Sequence, residues 1–265
     1  FPMQPWLDVV EGGWAVIVHT VNNYELANRL VNEMSELAWS KRYAFWKSDR
    51  VSIKESVKRA YTAKRGIVIL SDTGDAVYGG APGDNTSLLK ELIEQSNNHE
   101  DQIMLVPVVD ASVVAASFEA GIGCSLSVSI GGKMDNIFCS PVDIDAEIIA
   151  NSNNNEVDVG ERGKVESGRT SLLKVGSVYI AVMEQANFVI NYPELYENLG
   201  IDLRKATAVV LKTASNFQYF EHWGKGLIRV DTPGMTQSNL KEFTWKKIPR
   251  PIFPLDRDEL CQLRT

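Results

Sequence analysis

The chain has 265 residues, enough for one large domain or two modest ones with a substantial core. Its 34 acidic and 27 basic residues give a net charge of -7, and the basic residues form no long run, which argues against nucleic acid or an anionic membrane as the main partner. No apolar stretch is long enough to span a membrane, and three cysteines without paired spacing predict a reducing, cytoplasmic location: Cys124, Cys139 and Cys261.

The first 50 residues predict one strand and one helix. Residues 13–20 (GWAVIVHT) are typical of a strand, and the helix runs from about Tyr24 to Phe45. The predicted buried side of this helix consists of Leu26, Leu30, Met34, Leu37 and Trp39. Because a single strand needs neighbours, the pair is predicted to be the last βα unit of a truncated upstream domain. Residues 47–65 predict a solvated linking helix, so residues 1–50 and 51–265 are expected to belong to different domains.

Residues 66–94 are predicted to be the structural centre of the second domain. The apolar run 67–70 indicates a buried strand, and the segment 73–86, here called the glycine-rich loop, leads into a helix that Asp84 or Thr86 is expected to cap. Ligands usually bind at the carboxyl ends of parallel strands, and helix N-termini attract anions. The loop is therefore the best candidate site, with a purely structural role for its glycines as the alternative. Its spacing fits neither the P-loop nor the dinucleotide-binding pattern.

Apolar runs and helical repeats alternate along the rest of the chain. A helix is predicted at residues 112–123, and two strands are predicted around a turn within residues 171–184. Single strands are predicted at residues 103–110, 125–130, 206–213 and 227–231. Residues 143–168 are polar and predict exposed loops or edge strands. The pattern predicts an α/β fold with a mostly parallel or mixed sheet and helices on both faces.

Five motifs carry a resemblance to a known family. They are GGAPGDNT (79–86), LGID (199–202), VVLKTASNF (209–217), VDTPG (230–234) and RPIFPLD (250–256). In this order they resemble the carboxy-terminal half of the microcystin LR degradation protein MlrC family. QPWLDV (4–9) with the following βα unit resembles the end of that family's amino-terminal metallopeptidase half. The resemblance implies a zinc-dependent peptide or amide hydrolase, since the best known member opens linear peptides derived from the cyclic hepatotoxin microcystin.

The resemblance also implies that the zinc ligands lie outside this chain. Catalytic zinc needs three or four His, Asp or Glu ligands, and the family's ligands lie in the amino-terminal half. His19, His99 and His222 are isolated from one another in the sequence, without an HExxH pattern, and are expected to be ordinary core or surface histidines. No catalytic or metal-binding residue is assigned here, and the expected partner is the missing amino-terminal domain.

By this resemblance the chain is expected to form one wall of an interdomain substrate cleft, in which residues 79–84 orient the substrate or its oxyanion through backbone N–H groups. The predicted substrate-binding residues are Asp72, Asp75, Gly79, Gly80, Gly83, Asp84, Ser215, Asn216 and Phe217. For Asp72 and Asp75 the alternative is hydrogen bonding that stabilises the loop. Where the family commonly has asparagine, proline and glycine, this chain has Ala76, Val77 and Tyr78, which predicts a changed substrate fit or weakened activity.

Two other functions are compatible with the residues. The first is a non-catalytic module that holds an anionic small molecule or a peptide carboxylate at the glycine-rich loop. The second is a structural domain that mediates assembly, including that of a homo-oligomer. Its interface would be the aromatic side chains of Phe217, Tyr219, Phe220 and Trp223, although core packing is the commoner fate of such residues.

Overall fold

The computed structural model describes residues 2–46, 49–63, 66–97, 99–160 and 163–261. The chain divides into two compact units. The first unit comprises residues 1–49 and 239–265, and the second unit comprises residues 50–238. None of the helices in the described part of the chain combines the length and the apolar character that a membrane-spanning segment requires.

The first unit contains two consecutive helices, α1 (Tyr24–Ser40) and α2 (Arg42–Trp46), which confirm the predicted helical segment. The side chain of Asn23 accepts the N–H of Leu26 at 2.9 Å and caps α1. The predicted strand at residues 13–20 is wrong, because these residues pair with no strand of either sheet. The predicted buried side of α1 is also wrong, since none of its residues is buried and Met34 and Leu37 are 52% and 56% exposed.

Hydrogen bonds join the amino-terminal and carboxy-terminal segments of the first unit. The carboxylate of Asp8 accepts the backbone N–H groups of residues 246–248 at 2.8 to 2.9 Å. The guanidinium of Arg42 binds both carboxylate oxygens of Asp258, at 2.9 and 2.7 Å. The first unit therefore contains both the QPWLDV motif (4–9) and the RPIFPLD motif (250–256).

A nine-stranded sheet forms the second unit. Its strands are β1 (Val51–Ser52), β2 (Ile67–Asp72), β3 (Met104–Val109), β4 (Ser125–Ile130), β5 (Val142–Ser152), β8 (Thr170–Val175), β9 (Val178–Met183), β10 (Ala208–Leu211) and β11 (Gly224–Asp231). A separate antiparallel pair is made by β6 (Glu156–Asp158) and β7 (Lys164–Glu166). The helices are α3 (Ile53–Tyr61), α4 (Ser87–Gln95), α5 (Ala111–Ala120) and α6 (Glu194–Glu197).

The order of the large sheet is β1-β11-β2-β10-β3-β9-β8-β5-β4. In this order, the first six strands, β1-β11-β2-β10-β3-β9, pair in parallel. The last four, β9-β8-β5-β4, pair antiparallel, so the sheet is mixed. Alternate residues of the central strands enter two separate apolar clusters, one packed against α3, α4 and α5 and the other against α6 and short turns. The predicted α/β fold with a mixed sheet and helices on both faces is confirmed.

The predicted strand at residues 125–130 is β4, which forms the antiparallel edge strand beside β5. Two other predicted elements differ from the structure. The predicted loops or edge strands of residues 143–168 include β5, which pairs on both sides; it alternates exposed acidic residues with buried Ile144, Ala146 and Ile148, as a sheet with one solvated face requires. The predicted solvated helix is α3, whose Val57 and Ala60 are buried; residues 47, 48, 64 and 65 of that prediction lie outside the described residues.

Candidate functional site

Three neighbouring parallel strands place polar side chains at their carboxyl ends. Asp72 ends β2, Lys212 follows β10, and Thr232 follows β11. The ammonium nitrogen of Lys212 donates to Asp72 Oδ2 at 2.9 Å, to Asp75 Oδ2 at 2.8 Å and to the backbone oxygen of Asn85 at 2.8 Å. The side chains of Lys212 and both aspartates are no more than 1% exposed. This arrangement is a buried cluster of one ammonium and two carboxylates.

Burial and the neighbouring charges shift the pKa values of Asp72 and Lys212 in opposite directions. Burial raises the pKa of Asp72, against the lowering influence of the Lys212 charge. Burial alone would lower the pKa of Lys212, but the charges of Asp72 and Asp75 outweigh it and raise that pKa above its ordinary value. Lys212 therefore remains protonated and is a hydrogen-bond donor rather than a base.

Hydrogen bonds inside the glycine-rich loop engage five of its backbone amides. Asp75 accepts the N–H of Gly83 through Oδ1 and the N–H of Asn85 through Oδ2, both at 2.9 Å. Three further amides donate to loop carbonyl oxygens: Gly79 to Ala76 at 2.8 Å, Gly80 to Val77 at 3.0 Å and Ala81 to Ala76 at 3.3 Å. An oxyanion or carboxylate bound by these N–H groups would have to displace their present acceptors.

The loop also contacts the segment after β11 through its backbone. The N–H of Gly74 donates to the hydroxyl of Thr232 at 2.8 Å, and that hydroxyl donates to Asp72 Oδ1 at 2.6 Å. A Cβ atom on Gly74 would lie 2.4 Å from the backbone oxygens of Thr232 and Pro233. Only glycine permits this approach, so the first turn of the loop is fixed by packing against residues 232–236.

Asp84 connects the glycine-rich loop to residues 131–141. Its carboxylate accepts the backbone N–H of Lys133 at 2.8 Å and that of Met134 at 2.7 Å. The predicted capping role of Asp84 or Thr86 in α4 is wrong. Thr86 occupies the N-cap position but its hydroxyl donates to Ser140 O, and it is Asn85 Oδ1 that accepts the N–H of Ser87 at 2.9 Å.

The predicted substrate-binding residues fall into a buried and an accessible group. The buried group, with 0% or 1% exposure for the three aspartates, consists of Asp72, Asp75, Gly83 and Asp84. The accessible group, exposed or half-buried, consists of Gly79, Gly80, Ser215, Asn216 and Phe217. The amides of Ser215 and Asn216 donate to Thr213 Oγ1 at 3.2 and 2.9 Å, which fixes the turn after β10. Contact of either group with a substrate stays a prediction.

Lys212 is the site residue that the sequence analysis missed. The signal was present, because a lysine directly follows the buried run of β10 within the VVLKTASNF motif. A charged residue at the end of a central strand is rarely buried unless it is paired. The aromatic side chains of the predicted interface pack in or against the core. Phe220 is fully buried, and Phe217, Tyr219 and Trp223 are partly buried against the core.

The described residues do not supply a zinc site. His19 and His222 are exposed, and the ring of His99 stacks on Tyr61 with their centroids 4.6 Å apart. Within the described ranges, no group of three or more His, Cys, Asp or Glu residues is arranged to hold a metal ion. The buried carboxylates of the site accept hydrogen bonds from Lys212 and from backbone amides instead. This donor set does not fit catalytic zinc.

Comparison with known proteins identifies the family. The family model described as MlrC C-terminus matches residues 70–247. The chain belongs to this family. Microcystinase C of Sphingomonas sp. is 24% identical over 256 residues, an alignment that covers 94% of this chain and 48% of that protein. A solved structure from Mesorhizobium sp. BNC1, named "Putative metallopeptidase", superimposes with a TM-score of 0.82 at 25% identity, covering 98% of this chain and 51% of that one.

These matches confirm the resemblance inferred from the five motifs. The glycine-rich loop, Lys212 and the segment after β11 all lie within the residues that the MlrC C-terminus model matches. The chain spans about half the length of both relatives. The candidate site is therefore part of the MlrC carboxy-terminal region.

Proposed function

We propose that this chain is the carboxy-terminal part of a zinc-dependent peptide or amide hydrolase of the MlrC type, in which it forms one wall of the substrate cleft. The observation that carries the proposal is the alignment of nearly the whole chain with about half of Microcystinase C and half of the Mesorhizobium protein. Because the donor set described above does not fit zinc, the metal ligands are assigned to the upstream half of such a protein.

The accessible group of residues would form the surface of this wall. Tyr78 is 38% exposed and lies beside Gly79 and Gly80, and residues 215–217 follow β10 at the same end of the parallel strands. The buried group would hold that surface in place, since Asp75 and Asp84 bind backbone amides rather than facing solvent. In this arrangement Tyr78 offers an aromatic side chain to the substrate where the family commonly has glycine.

Within the first unit, residues 1–50 would belong to the upstream half. In the described part of residues 1–50, nine large apolar side chains are between 52% and 93% exposed: Val10, Trp14, Ile17, Val21, Tyr24, Met34, Leu37, Tyr43 and Phe45. Exposed apolar surface on this scale commonly marks an interaction site. We assign residues 1–50 to the end of an amino-terminal domain whose remainder covers these side chains. The two relatives are long enough to contain such a domain.

The test is to measure zinc content and hydrolysis of linear peptides by two proteins. One is this chain alone, and the other is the product of the natural locus with any coding sequence upstream of Phe1. We expect the chain alone to bind no stoichiometric zinc and to be inactive, and the longer product to bind zinc and cleave peptides. Stoichiometric zinc with activity in the chain alone would overturn the assignment of the metal ligands to the upstream half. An inactive, zinc-loaded longer product would overturn the proposed hydrolase.

The alternative of an anion-binding module has less support. The amides of Gly79, Gly80, Ala81, Gly83 and Asn85 already donate to acceptors inside the loop, so few remain for a bound anion. Titration with phosphate and with a peptide carboxylate, followed by amide chemical shifts, separates the two functions. Saturable shifts confined to residues 79–86 in the chain alone would favour the anion-binding module.

A further inference from the structure

Lys212 has a position in the fold that neither the family match nor the proposed hydrolysis explains. It is fully buried at the end of β10, which lies between β2 and β3 in the sheet. An ammonium group has three N–H donors, and the structure gives Lys212 three acceptors within 2.9 Å. All of its hydrogen-bonding capacity is directed at β2 and at the glycine-rich loop.

The three acceptors of Lys212 connect the ammonium to both ends of the loop. Asp75 also accepts hydrogen bonds from the amides of Gly83 and Asn85, at the end of the loop. Asp72 is linked through the hydroxyl of Thr232 to the amide of Gly74, at the beginning of the loop. The backbone oxygen of Asn85 is bound directly.

The backbone of Lys212 contacts the middle of the same loop. Its carbonyl oxygen accepts the N–H of Val77 at 3.1 Å and the side-chain amide of Asn191 at 3.2 Å. At most two intermediate groups therefore separate Lys212 from the beginning, the middle or the end of the loop. Lys212 Nζ and Asp75 are 137 positions apart in sequence, so local propensity cannot supply this contact.

We propose that Lys212 is a positioning residue that sets the conformation of the glycine-rich loop through Asp72 and Asp75. A buried ion pair is weak evidence for stability, because well-packed apolar residues often replace one without loss. What an apolar residue cannot replace is the set of directed donors that orients Asp75 toward the loop amides and Asp72 toward the hydroxyl of Thr232. That this loop forms the substrate wall rests on the proposed function, but the positioning itself does not.

Removing Lys212 alone would leave two carboxylates close together in a buried site, and such a variant is expected to fold poorly. The informative variant is therefore the neutral triple substitution Lys212→Met with Asp72→Asn and Asp75→Asn. It removes every charge of the cluster while keeping side chains of similar size. Asp75→Asn alone is the second variant, since it retains the pair of Lys212 with Asp72.

The measurement is residue-resolved amide hydrogen exchange by NMR, comparing Gly83 and Asn85 with the amides of β3. In both variants we expect the loop amides to exchange about tenfold faster or more, relative to the amides of β3, because an ionic acceptor is lost. Lys174→Met is the matched control, since Lys174 lies on β8 with its Nζ 5.4 Å from the Tyr179 ring. This control is expected to leave the loop amides unchanged.

Two results would overturn the positioning role. One is unchanged exchange of the loop amides in Asp75→Asn and, if it folds, in the triple variant. The other is an equal increase for the loop and for β3, which would show that the cluster only contributes to global stability. Because the exchange experiment needs neither zinc nor a substrate, its failure is distinguishable from a failure of the proposed hydrolase.

Discussion

The carboxylate of Asp84 accepts the backbone N–H of Met134 at 2.7 Å, so one buried side chain holds the glycine-rich loop against residues 131–141. The same carboxylate accepts the N–H of Lys133. The loop that the sequence singled out is thus supported from two sides, by Asp84 on one and by the Lys212 cluster on the other.

Asp84→Ala is expected to lower the free energy of unfolding by about 2 to 3 kcal/mol, since the carboxylate loses hydrogen bonds from the amides of Lys133, Met134 and Asp135, which are left partly buried. Urea denaturation followed by circular dichroism measures the change. Asp143→Ala is the control, because Asp143 is exposed on β5 and is expected to change stability by no more than about 0.5 kcal/mol. Equal effects of the two substitutions would contradict the structural role of Asp84.

Lys133→Met is expected to have a pH-dependent effect. Burial raises the pKa of Asp110, but hydrogen bonds from Lys133, Ser112 and the amides of Gly131 and Val113 outweigh it and hold that pKa below its ordinary value. A lowered folded pKa contributes stability above pH of about 4, and this is lost as pH falls through the folded pKa. The lysine side chain is 40% exposed, so we expect a loss of only about 1 kcal/mol at pH 7.

The difference between wild type and Lys133→Met should therefore shrink toward zero between pH 7 and about pH 2. Denaturation curves across this range measure it. Lys90→Met is the control, because Lys90 and Glu94 are exposed and their charged atoms are 4.0 Å apart. A difference that stays constant with pH would show that the ion pair with Asp110 is not its cause.

Gly74→Ala is expected to destabilise the protein by about 3 kcal/mol, because the added methyl group would lie 2.4 Å from two backbone oxygens that cannot rotate away. Gly226→Ala on β11 is the matched control, since no atom lies within 4 Å of the corresponding Cβ position. We expect the control to be neutral or stabilising by about 0.5 to 1 kcal/mol. Thermal unfolding of the two variants would contradict the close packing at Gly74 if their midpoints coincide.

The cysteines are expected to differ in reactivity. Burial raises the pKa of Cys139 to about 12, and its thiol donates to Asp135 O at 3.0 Å, whereas Cys124 is exposed. At pH 8 the thiolate fraction of Cys139 is roughly a thousandfold below that of an ordinary cysteine. In a reaction with Ellman's reagent, Cys124→Ser should remove the fast phase and Cys139→Ser should leave it intact. The opposite assignment of the fast phase would show that the Cys139 thiol is accessible.

Local patterns in the sequence were sufficient for most elements of the second unit. The apolar runs of β2, β3 and β10, and the helical repeats of α4 and α5, predict elements that the structure contains. These segments are buried on both faces or on one face, so their composition reports their surroundings directly. The strand predicted at residues 13–20 is different, because an apolar run becomes a strand only where a partner strand is available.

The sequence by itself determined the family, the α/β class and the position of the glycine-rich loop, since each of these is written in short motifs and in local periodicity. Only the tertiary structure decided that β10 inserts between β2 and β3, and with it that Lys212 meets Asp72 across 140 positions of chain. Strand order depends on long-range pairing, which no local pattern encodes. The same pairing decided that Asp72 and Asp75 are buried beside an ammonium group rather than accessible, because the environment of a carboxylate depends on residues distant in sequence.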